Sequence, residues 1–216
     1  MLFKLKKVLN EAIKLETQTN SSTFIFEDYN AVLKKIKDLR VLGYDRIHLP
    51  GGTSSDGRHY AGVIVPIYDH LSKKVYFVGV PYSSNFHKEN GNGHNKKDGE
   101  WSGLTLIREL MEETGLHTTL YDLNFVFSRE RPDNRSGMEG KLHYQYFYIV
   151  EDFTGNLFTF DGPNPIDGET AAPLLIPADL FLDEIFRGHL DAVKMTIKEL
   201  INEKEEYYWA LKDLPK

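Results

Sequence analysis

The segment from Gly99 to Leu116, GEWSGLTLIRELMEETGL, is the feature that most constrains how this chain folds. At about 100° of rotation per residue, Glu109, Glu112 and Glu113 fall within one arc of about 100° on a helical wheel. The opposite arc holds uncharged side chains, which are Leu104, Ile107, Leu110, Met111 and Thr114. Gly115 is placed to end the helix, because glycine adopts the left-handed conformation of a C′ residue without strain. The pattern predicts a short helix that buries one face and exposes three carboxylates on the other.

Two helical patterns precede this segment and predict an N-terminal helical extension over residues 1–45. Apolar residues recur at steps of three and four from Leu2 to Ile13, and again from Tyr29 to Leu39, after which Gly43 follows. The apolar stripes require burial, either on the main domain or on a second copy of the chain. A homodimer that uses the extension is therefore one hypothesis.

Residues 46–216 are predicted to form the main domain. AGVIVPIYD and KVYFVGVPY are rich in β-branched and aromatic residues and predict a β-hairpin. LYDLNFVFSRE and KLHYQYFYIVEDF predict two further strands, and PLLIP predicts a short strand. Residues 178–211 predict a terminal helix interrupted near Gly188. Strands and helices alternate without a regular β-α-β rhythm. The predicted fold class is therefore α+β with a mixed sheet.

The charge balance excludes several classes of partner. The net charge of -6 argues against broad binding to nucleic acid or to an acidic membrane. The chain has no cysteine, which excludes disulfides, cysteine-zinc sites and thiol nucleophiles. We read no apolar run near the N-terminus as long enough for a signal peptide or a membrane span. These features lead us to expect a cytoplasmic protein.

The clustered carboxylates indicate a site for a hard divalent cation. Mg²⁺ takes oxygen ligands and shares its coordination shell with substrate phosphates, and Mn²⁺ accepts similar ligands. Glu100, just before the helix, is placed to fold back over the acidic face. Arg108 is spaced to pair with Glu112, four residues later. The alternative interpretation is a solvated acidic helix face that binds no ligand.

The spacing of these residues resembles the Nudix box. Gly99-Glu100, seven residues and then Arg108-Glu109-Leu110-Met111-Glu112-Glu113-Thr114-Gly115-Leu116 match the family pattern in identity and spacing. One position departs, because His94 stands where the pattern opens with glycine. An LPGG sequence at Leu49–Gly52 also resembles the entrance to such a box, but Arg58 stands where the glutamate belongs, and we interpret it as a turn.

The resemblance implies a fold and an activity. Nudix proteins are α/β/α sandwiches with a mixed sheet, and they are hydrolases that use divalent metals to cleave nucleoside diphosphates linked to another group. It implies Glu112 and Glu113 as metal ligands, Glu109 as a ligand or a base, and Glu100 as a ligand or outer partner. Arg108 then orients the carboxylates. Glu169 lies six residues before Leu175, the second leucine of the PLLIP strand. It is a candidate base or a plain turn residue.

The substrate is less constrained than the reaction. A proline at Pro132 resembles the ADP-ribose pyrophosphatase subgroup, so the predicted substrate is ADP-ribose or a nucleoside diphosphate sugar. Candidate substrate contacts are Arg129, Arg131, Arg135 and Trp101, and the Tyr144–Tyr148 row is a candidate stacking face for a base. Two alternatives stay open: a nucleoside triphosphate pyrophosphohydrolase that clears damaged nucleotides, and a nucleotide sensor that does not cleave.

Overall fold

A computed structural model describes residues 24–54, 57–84, 95–96, 102–133, 138–166 and 168–214. The helices in these ranges are α1 Tyr29–Val41, α2 Ser102–Thr114, α3 Ala178–Glu184, α4 Leu190–Glu203 and α5 Glu205–Leu211. The strands are β1 Arg46–His48, β2 Gly51–Ser54, β3 His59–Ile64, β4 Pro66–Asp69, β5 Lys74–Tyr82, β6 Asn95–Lys96, β7 Leu116–His117, β8 Asn124–Pro132, β9 Leu142–Ile149, β10 Thr154–Gly155 and β11 Leu174–Pro177.

The strands form two main sheets, one of mixed direction and one antiparallel. One sheet has the order β6-β2-β3-β9-β8, in which β2 with β6 and β3 with β9 are parallel pairs. The other has the order β1-β5-β11, with β4 also paired to β5, and all of its pairs are antiparallel. The short strands β7 and β10 pair separately. The mixed sheet predicted from the sequence is confirmed.

Helices cover both faces of the layer formed by the two main sheets. On one face α2 buries Leu106 and Leu110 against Val63 and Val78. On the other face the core takes side chains from four helices, among them Ile36, Phe181, Val193 and Leu211. The α/β/α sandwich is therefore confirmed. Among the described residues no helix is long and apolar enough to cross a bilayer.

The β-hairpin predicted from the sequence differs from the structure in one respect. The run AGVIVPIYD is not one strand, because β3 ends at Ile64 and β4 begins at Pro66. Only β4 forms the hairpin with β5, whereas β3 joins the other sheet between β2 and β9. The break at Val65 lets one stretch of chain serve both sheets.

The helical extension is described only in part. Helix α1 begins after Asp28, whose side chain accepts a hydrogen bond from the Ala31 amide at 2.9 Å. Val32 and Ile36 of α1 are buried in the same core as the terminal helices. This stripe thus packs on the main domain, while the predicted helix from Leu2 to Ile13 lies outside the described residues.

Candidate active site

Helix α2 carries the predicted carboxylates and buries Leu110 and Thr114 as expected, but its buried face also includes Glu109. Glu109 is fully buried, whereas Leu104, assigned to the buried side, is 47% exposed. Strand β2 packs against the acidic side of the helix, where Gly52 lies close to the Glu109 side chain. The prediction that all three carboxylates lie on an exposed face was therefore wrong for Glu109.

Gly52 in β2 explains how a strand approaches a buried carboxylate so closely. A Cβ atom at Gly52 would lie 2.7 Å from Glu109 Oε1 and 2.9 Å from Glu109 Cγ. Real Cβ atoms essentially never come that close to another heavy atom. Glycine is the residue type that fits where another group approaches the backbone of a strand.

The LPGG sequence at Leu49–Gly52 is part of the site, so its interpretation as a turn was wrong. Gly51 and Gly52 open strand β2 and pair with β3. The Gly51 amide donates a hydrogen bond to Glu113 Oε2 at 2.9 Å. One glycine thus makes room for the first carboxylate of the helix, and its neighbour binds the third.

Arg108 forms ion pairs with two of the three carboxylates. Its guanidinium lies 2.8 Å from Glu109 Oε1 and 2.8 Å from Glu112 Oε2, and the Arg108 and Glu112 side chains are each only 20% exposed. The predicted pair with Glu112 is confirmed. A buried carboxylate is costly unless it is paired, so Arg108 offsets the burial of the Glu109 charge.

Gly115 ends α2 as predicted. Its φ angle is 81°, and a Cβ there would lie 2.5 Å from the Asn156 carbonyl oxygen. Its amide donates to the Met111 carbonyl at 2.9 Å, which satisfies one of the last carbonyls of the helix. The position of the acidic residues along the helix is therefore fixed at its C-terminal end.

A loop that contains Glu169 is fastened to the last turn of α2. The Asn164 side-chain amide donates to the Glu112 carbonyl oxygen at 3.0 Å and to Thr170 Oγ1 at 3.2 Å. The Asn164 backbone amide also donates to the Thr170 carbonyl at 2.7 Å. Asn164 is 1% exposed and Glu169 5% exposed. The buried amide of Asn164 therefore ties the Glu169 loop to the carboxylate helix.

The carboxylates of Glu169 and Glu113 both influence the pKa of the Tyr82 phenol. Burial raises the pKa of Tyr82, and the negative charges of Glu169 and Glu113 add to that increase. The backbone of Glu169 also accepts a hydrogen bond from the Ser83 amide, next to Tyr82. Tyr82 therefore stays protonated and lies within the electrostatic reach of carboxylates from two distant segments.

Two tyrosines, buried Tyr60 and half-buried Tyr82, lie near the carboxylates of α2. Burial raises the pKa of Tyr60, with the charges of Glu113 and Glu109 adding to the effect. The His48 ring stacks between Tyr82 and another aromatic ring, that of Phe186, at centroid distances of 4.7 and 4.8 Å. Burial, aided by the positive charge of Arg46, lowers the pKa of His48 to about 3. These rings are neutral near pH 7.

Arg129, a predicted substrate contact, is engaged by protein groups. Its guanidinium donates to Gln145 Oε1 at 2.6 Å, to Asp191 Oδ2 at 2.8 Å and to the Gly188 carbonyl. These contacts join β8, β9 and the start of α4. Arg131 lies two residues further along β8, where it is exposed. Glu100, Trp101 and Arg135 lie outside the described residues.

The tyrosine row of β9 divides between the two faces of its sheet. Phe147 is fully buried in the core, whereas Tyr144, Tyr146 and Tyr148 are partly buried on the face that carries α2. The His59 ring of β3 stacks near-parallel to Tyr144, at 5.0 Å and 12°, and to Tyr146, at 6.2 Å and 6°. The three rings His59, Tyr144 and Tyr146 are called the ring surface below.

A shallow cleft with room for about one water molecule lies between part of the ring surface and α2. Its lining residues are Gly52, His59, Tyr60, Ala61, Ser102, Thr105 and Tyr146. The LPGG pattern marked Gly52 but was interpreted as a turn. No local pattern marks His59, because it reaches the cleft through the pairing of β3 with β9, which is distant in sequence.

The described residues fit a divalent cation by donor type but do not form a finished cage. Carboxylate oxygens are the ligands that Mg²⁺ and Mn²⁺ prefer. Within the described ranges, no group of three or more His, Asp or Glu side chains is placed together to hold a metal ion. Glu109 and Glu112 share Arg108, and Glu113 accepts from the Gly51 amide.

Comparison with known proteins gives a limited result. No family model and no curated protein sequence matches the chain. Solved structures similar to it include a MutT protein from Bacillus halodurans, with 15% identity and a TM-score of 0.43 over 64% of this chain and 80% of that one. An Ap4A hydrolase from C. elegans has 14% identity and a TM-score of 0.44 over 67% of this chain and 98% of that one.

A MutT NUDIX hydrolase from Burkholderia pseudomallei has 12% identity and a TM-score of 0.41 over 63% of this chain and 97% of that one. That structure carries the family name of the box that this chain resembles. At TM-scores below 0.5 these likenesses are weak. The functional interpretation therefore depends on the residues of the site and their geometry.

Proposed function

We propose that this chain is a divalent-metal-dependent hydrolase that cleaves the diphosphate of a nucleoside diphosphate linked to another moiety, such as ADP-ribose or a nucleoside diphosphate sugar. The observation that carries the proposal is helix α2. It presents Glu109, Glu112 and Glu113 on one side, against a glycine strand, with Arg108 between two of them. A merely solvated acidic face does not require a fully buried glutamate.

Glu112 and Glu113 are the proposed metal ligands, with Glu109 and Glu100 as further ligands or outer partners. Both Glu112 and Glu113 lie at the less buried edge of α2, where a substrate has access. A bound Mg²⁺ or Mn²⁺ neutralises charge on a diphosphate and lowers the pKa of a bound water. Glu109 differs from the other two because it is buried and paired, which suits a group that must keep one position.

Arg108 and the Glu169 loop have proposed supporting roles. Arg108 holds Glu109 and Glu112 in a fixed relation, as outer groups around a metal site do. Glu169 is the proposed general base that accepts a proton from the attacking water, with Glu109 as the alternative. Asn164 supports this role because it fastens the Glu169 loop to α2 through the Glu112 carbonyl.

The proposed partner is a small nucleotide, not a nucleic acid or a membrane. Arg131 is exposed on β8 and stays a candidate for phosphate or ribose, together with Arg135 and Trp101. Arg129 is a positioning residue in this proposal, because its guanidinium already joins three elements. A homodimer built with the segment before α1 is a separate prediction, and light scattering of the full chain tests it.

The experiment is product release with Mg²⁺ or Mn²⁺ on ADP-ribose, nucleoside diphosphate sugars, dinucleoside polyphosphates and oxidised nucleoside triphosphates. We expect turnover that Glu113→Gln reduces by at least about 10²-fold, since the variant removes a charged ligand. Glu203→Gln, an exposed acid at the end of α4, is the matched control and should behave as wild type. Preference for a nucleoside triphosphate would instead indicate a nucleoside triphosphate pyrophosphohydrolase. Binding without turnover of any substrate would refute the hydrolase and favour a sensor.

A further inference from the structure

We infer that His189 is a positioning residue of the site: its imidazole holds the Leu49 amide, and through Leu49 it holds the glycine pair Gly51 and Gly52 against the carboxylates of α2. The inference deepens the proposed function and rests on it only for what those carboxylates do. The alternative is that His189 simply fills space among the aromatic rings of the core.

The side chain of His189 is not used as its place in the chain would predict. His189 is the N-cap residue of α4, a position where a polar side chain usually accepts a hydrogen bond from the first turn. In helix α4, which the structure describes in full, this side chain makes no capping hydrogen bond. Its Nδ1 instead accepts a hydrogen bond from the Leu49 amide at 3.3 Å. His189 and Leu49 are both buried, so this bond satisfies an amide that water does not reach.

The backbone of Leu49 is held at both its amide and its carbonyl group. The Tyr60 hydroxyl donates to the Leu49 carbonyl oxygen at 3.4 Å. The His189 ring stacks on the Tyr60 ring at a centroid distance of 5.0 Å and an angle of 16°. The two side chains that hold Leu49 therefore also fix each other.

The held backbone leads directly to a carboxylate of α2. Pro50 follows Leu49, and its carbonyl oxygen accepts a hydrogen bond from the Val63 amide at 2.9 Å. Gly51 comes next, and its amide donates to Glu113 Oε2 at 2.9 Å. Because the ring of Pro50 fixes its φ angle, a displacement of Leu49 is passed on to the Gly51 amide.

The segment that carries His189 is itself anchored to the strand layer. The Phe186 amide donates to the Ile47 carbonyl at 2.8 Å, and the Arg129 guanidinium donates to the Gly188 carbonyl. Helix α4 packs on the face of the strand layer opposite α2. His189 therefore links the two faces, and it gives the positioning role of Arg129 a route to the site.

The hydrogen bond defines the protonation of His189. An amide only donates, so Nδ1 is the unprotonated nitrogen and the neutral ring carries its proton on Nε2. Burial lowers the pKa of His189 well below its ordinary value, and the neighbouring His48, Arg129 and Arg131 add to this effect. The ring is therefore a neutral acceptor at pH 7.

The first test is long-range ¹H–¹⁵N NMR of the imidazole nitrogens in the wild-type full chain, at pH 7 in EDTA. We expect the His189 ring in the tautomer with its proton on Nε2. A proton on Nδ1, in either the neutral or the charged ring, overturns the inference. This measurement needs no variant and no substrate.

The second test compares two variants that each keep an aromatic ring. His189→Phe removes the acceptor for the Leu49 amide, whereas His48→Phe is the matched control, because the His48 ring lies 5.1 Å from that of His189. The Gly51 amide proton should resonate downfield in wild type, since it donates to a carboxylate. We expect His189→Phe to lose this shift and His48→Phe to keep it. No movement in His189→Phe, or the same movement in both variants, overturns the inference.

Turnover with Mg²⁺ is the third measurement. A misplacement near 1 Å can cost about 10²-fold, so we expect His189→Phe to lower kcat by at least about 10-fold with little change in KM, while His48→Phe keeps the wild-type kcat. An active wild type with an unchanged kcat in His189→Phe overturns the inference. A wild type without turnover instead refutes the hydrolase, and the two NMR tests still decide whether His189 positions Gly51.

Discussion

Replacing Gly52 with alanine tests the close packing of β2 on the acidic side of α2. The new Cβ would lie 2.7 Å from Glu109 Oε1, whereas ordinary contacts begin at 3.4 Å, so about 0.7 Å of movement is needed. Glu109 is fully buried and tied to Arg108, so its carboxylate cannot swing into solvent. Overpacking of this kind costs about 1–3 kcal/mol of unfolding free energy.

The expected result is a lower melting temperature together with a loss of activity. For a chain of this size each kcal/mol corresponds to about 2–4 °C, so Gly52→Ala should melt about 2–12 °C below wild type in differential scanning calorimetry. If Glu109 belongs to the reaction centre, a displacement near 1 Å should also lower turnover by about 10²-fold.

A double-mutant cycle identifies the contact responsible. In a Glu109→Ala background the obstructing atoms are gone, so adding Gly52→Ala should cost less than about 0.5 kcal/mol by urea denaturation. The reasoning is refuted if Gly52→Ala melts with wild type, or if its cost is unchanged when Glu109 is alanine. Either result would mean that the glycine is not required by the carboxylate.

Three further changes probe the other supports of the site. Arg108→Ala should lower the unfolding free energy by about 3–5 kcal/mol in urea, because it leaves the Glu109 charge buried without its ion pair; a surface-like loss below about 1 kcal/mol would contradict this. Wild-type stability should fall as the pH drops from 6.5 toward 3, because the unfolded state protonates His48 at its ordinary pKa of 6.5 while the folded state resists until about 3. His48→Phe should reduce the stability difference between pH 7 and pH 5 in urea titrations, while His189, whose pKa burial also lowers, retains part of it; an unchanged difference would refute this. Asn164→Ala should cost about 1–3 kcal/mol and lower kcat while ADP binding in EDTA is retained, and equal losses in both would indicate general damage instead.

The sequence predicted the parts of the fold that depend on local patterns. Helix α2, its end at Gly115 and the Arg108–Glu112 pair all follow from residues within one short segment. Strands β8 and β9 likewise overlap the two segments predicted as strands, LYDLNFVFSRE and KLHYQYFYIVEDF. These features need no knowledge of what lies across from them.

The errors come from contacts between distant segments. A helical wheel assigns burial by side-chain polarity, so it placed Glu109 outside and Leu104 inside. It has no information about a glycine strand that covers the acidic side. Gly51 and Gly52 have the composition of a turn, and only their pairing with β3 makes them a strand. Asn164 lies 52 residues from the Glu112 carbonyl that it binds, so no spacing rule identifies it.

The parallel pairing of β3 with β9 has a consequence for how the protein folds. It matches His59 with Tyr144, residues that are 85 positions apart, and α2 lies in the intervening chain. Closing so long a loop costs entropy before any contact repays it, and pairings of this kind slow folding. The ring surface cannot exist until that closure is complete. A chain still emerging from the ribosome therefore completes the ring surface beside α2 only after β9 has been synthesised and docked.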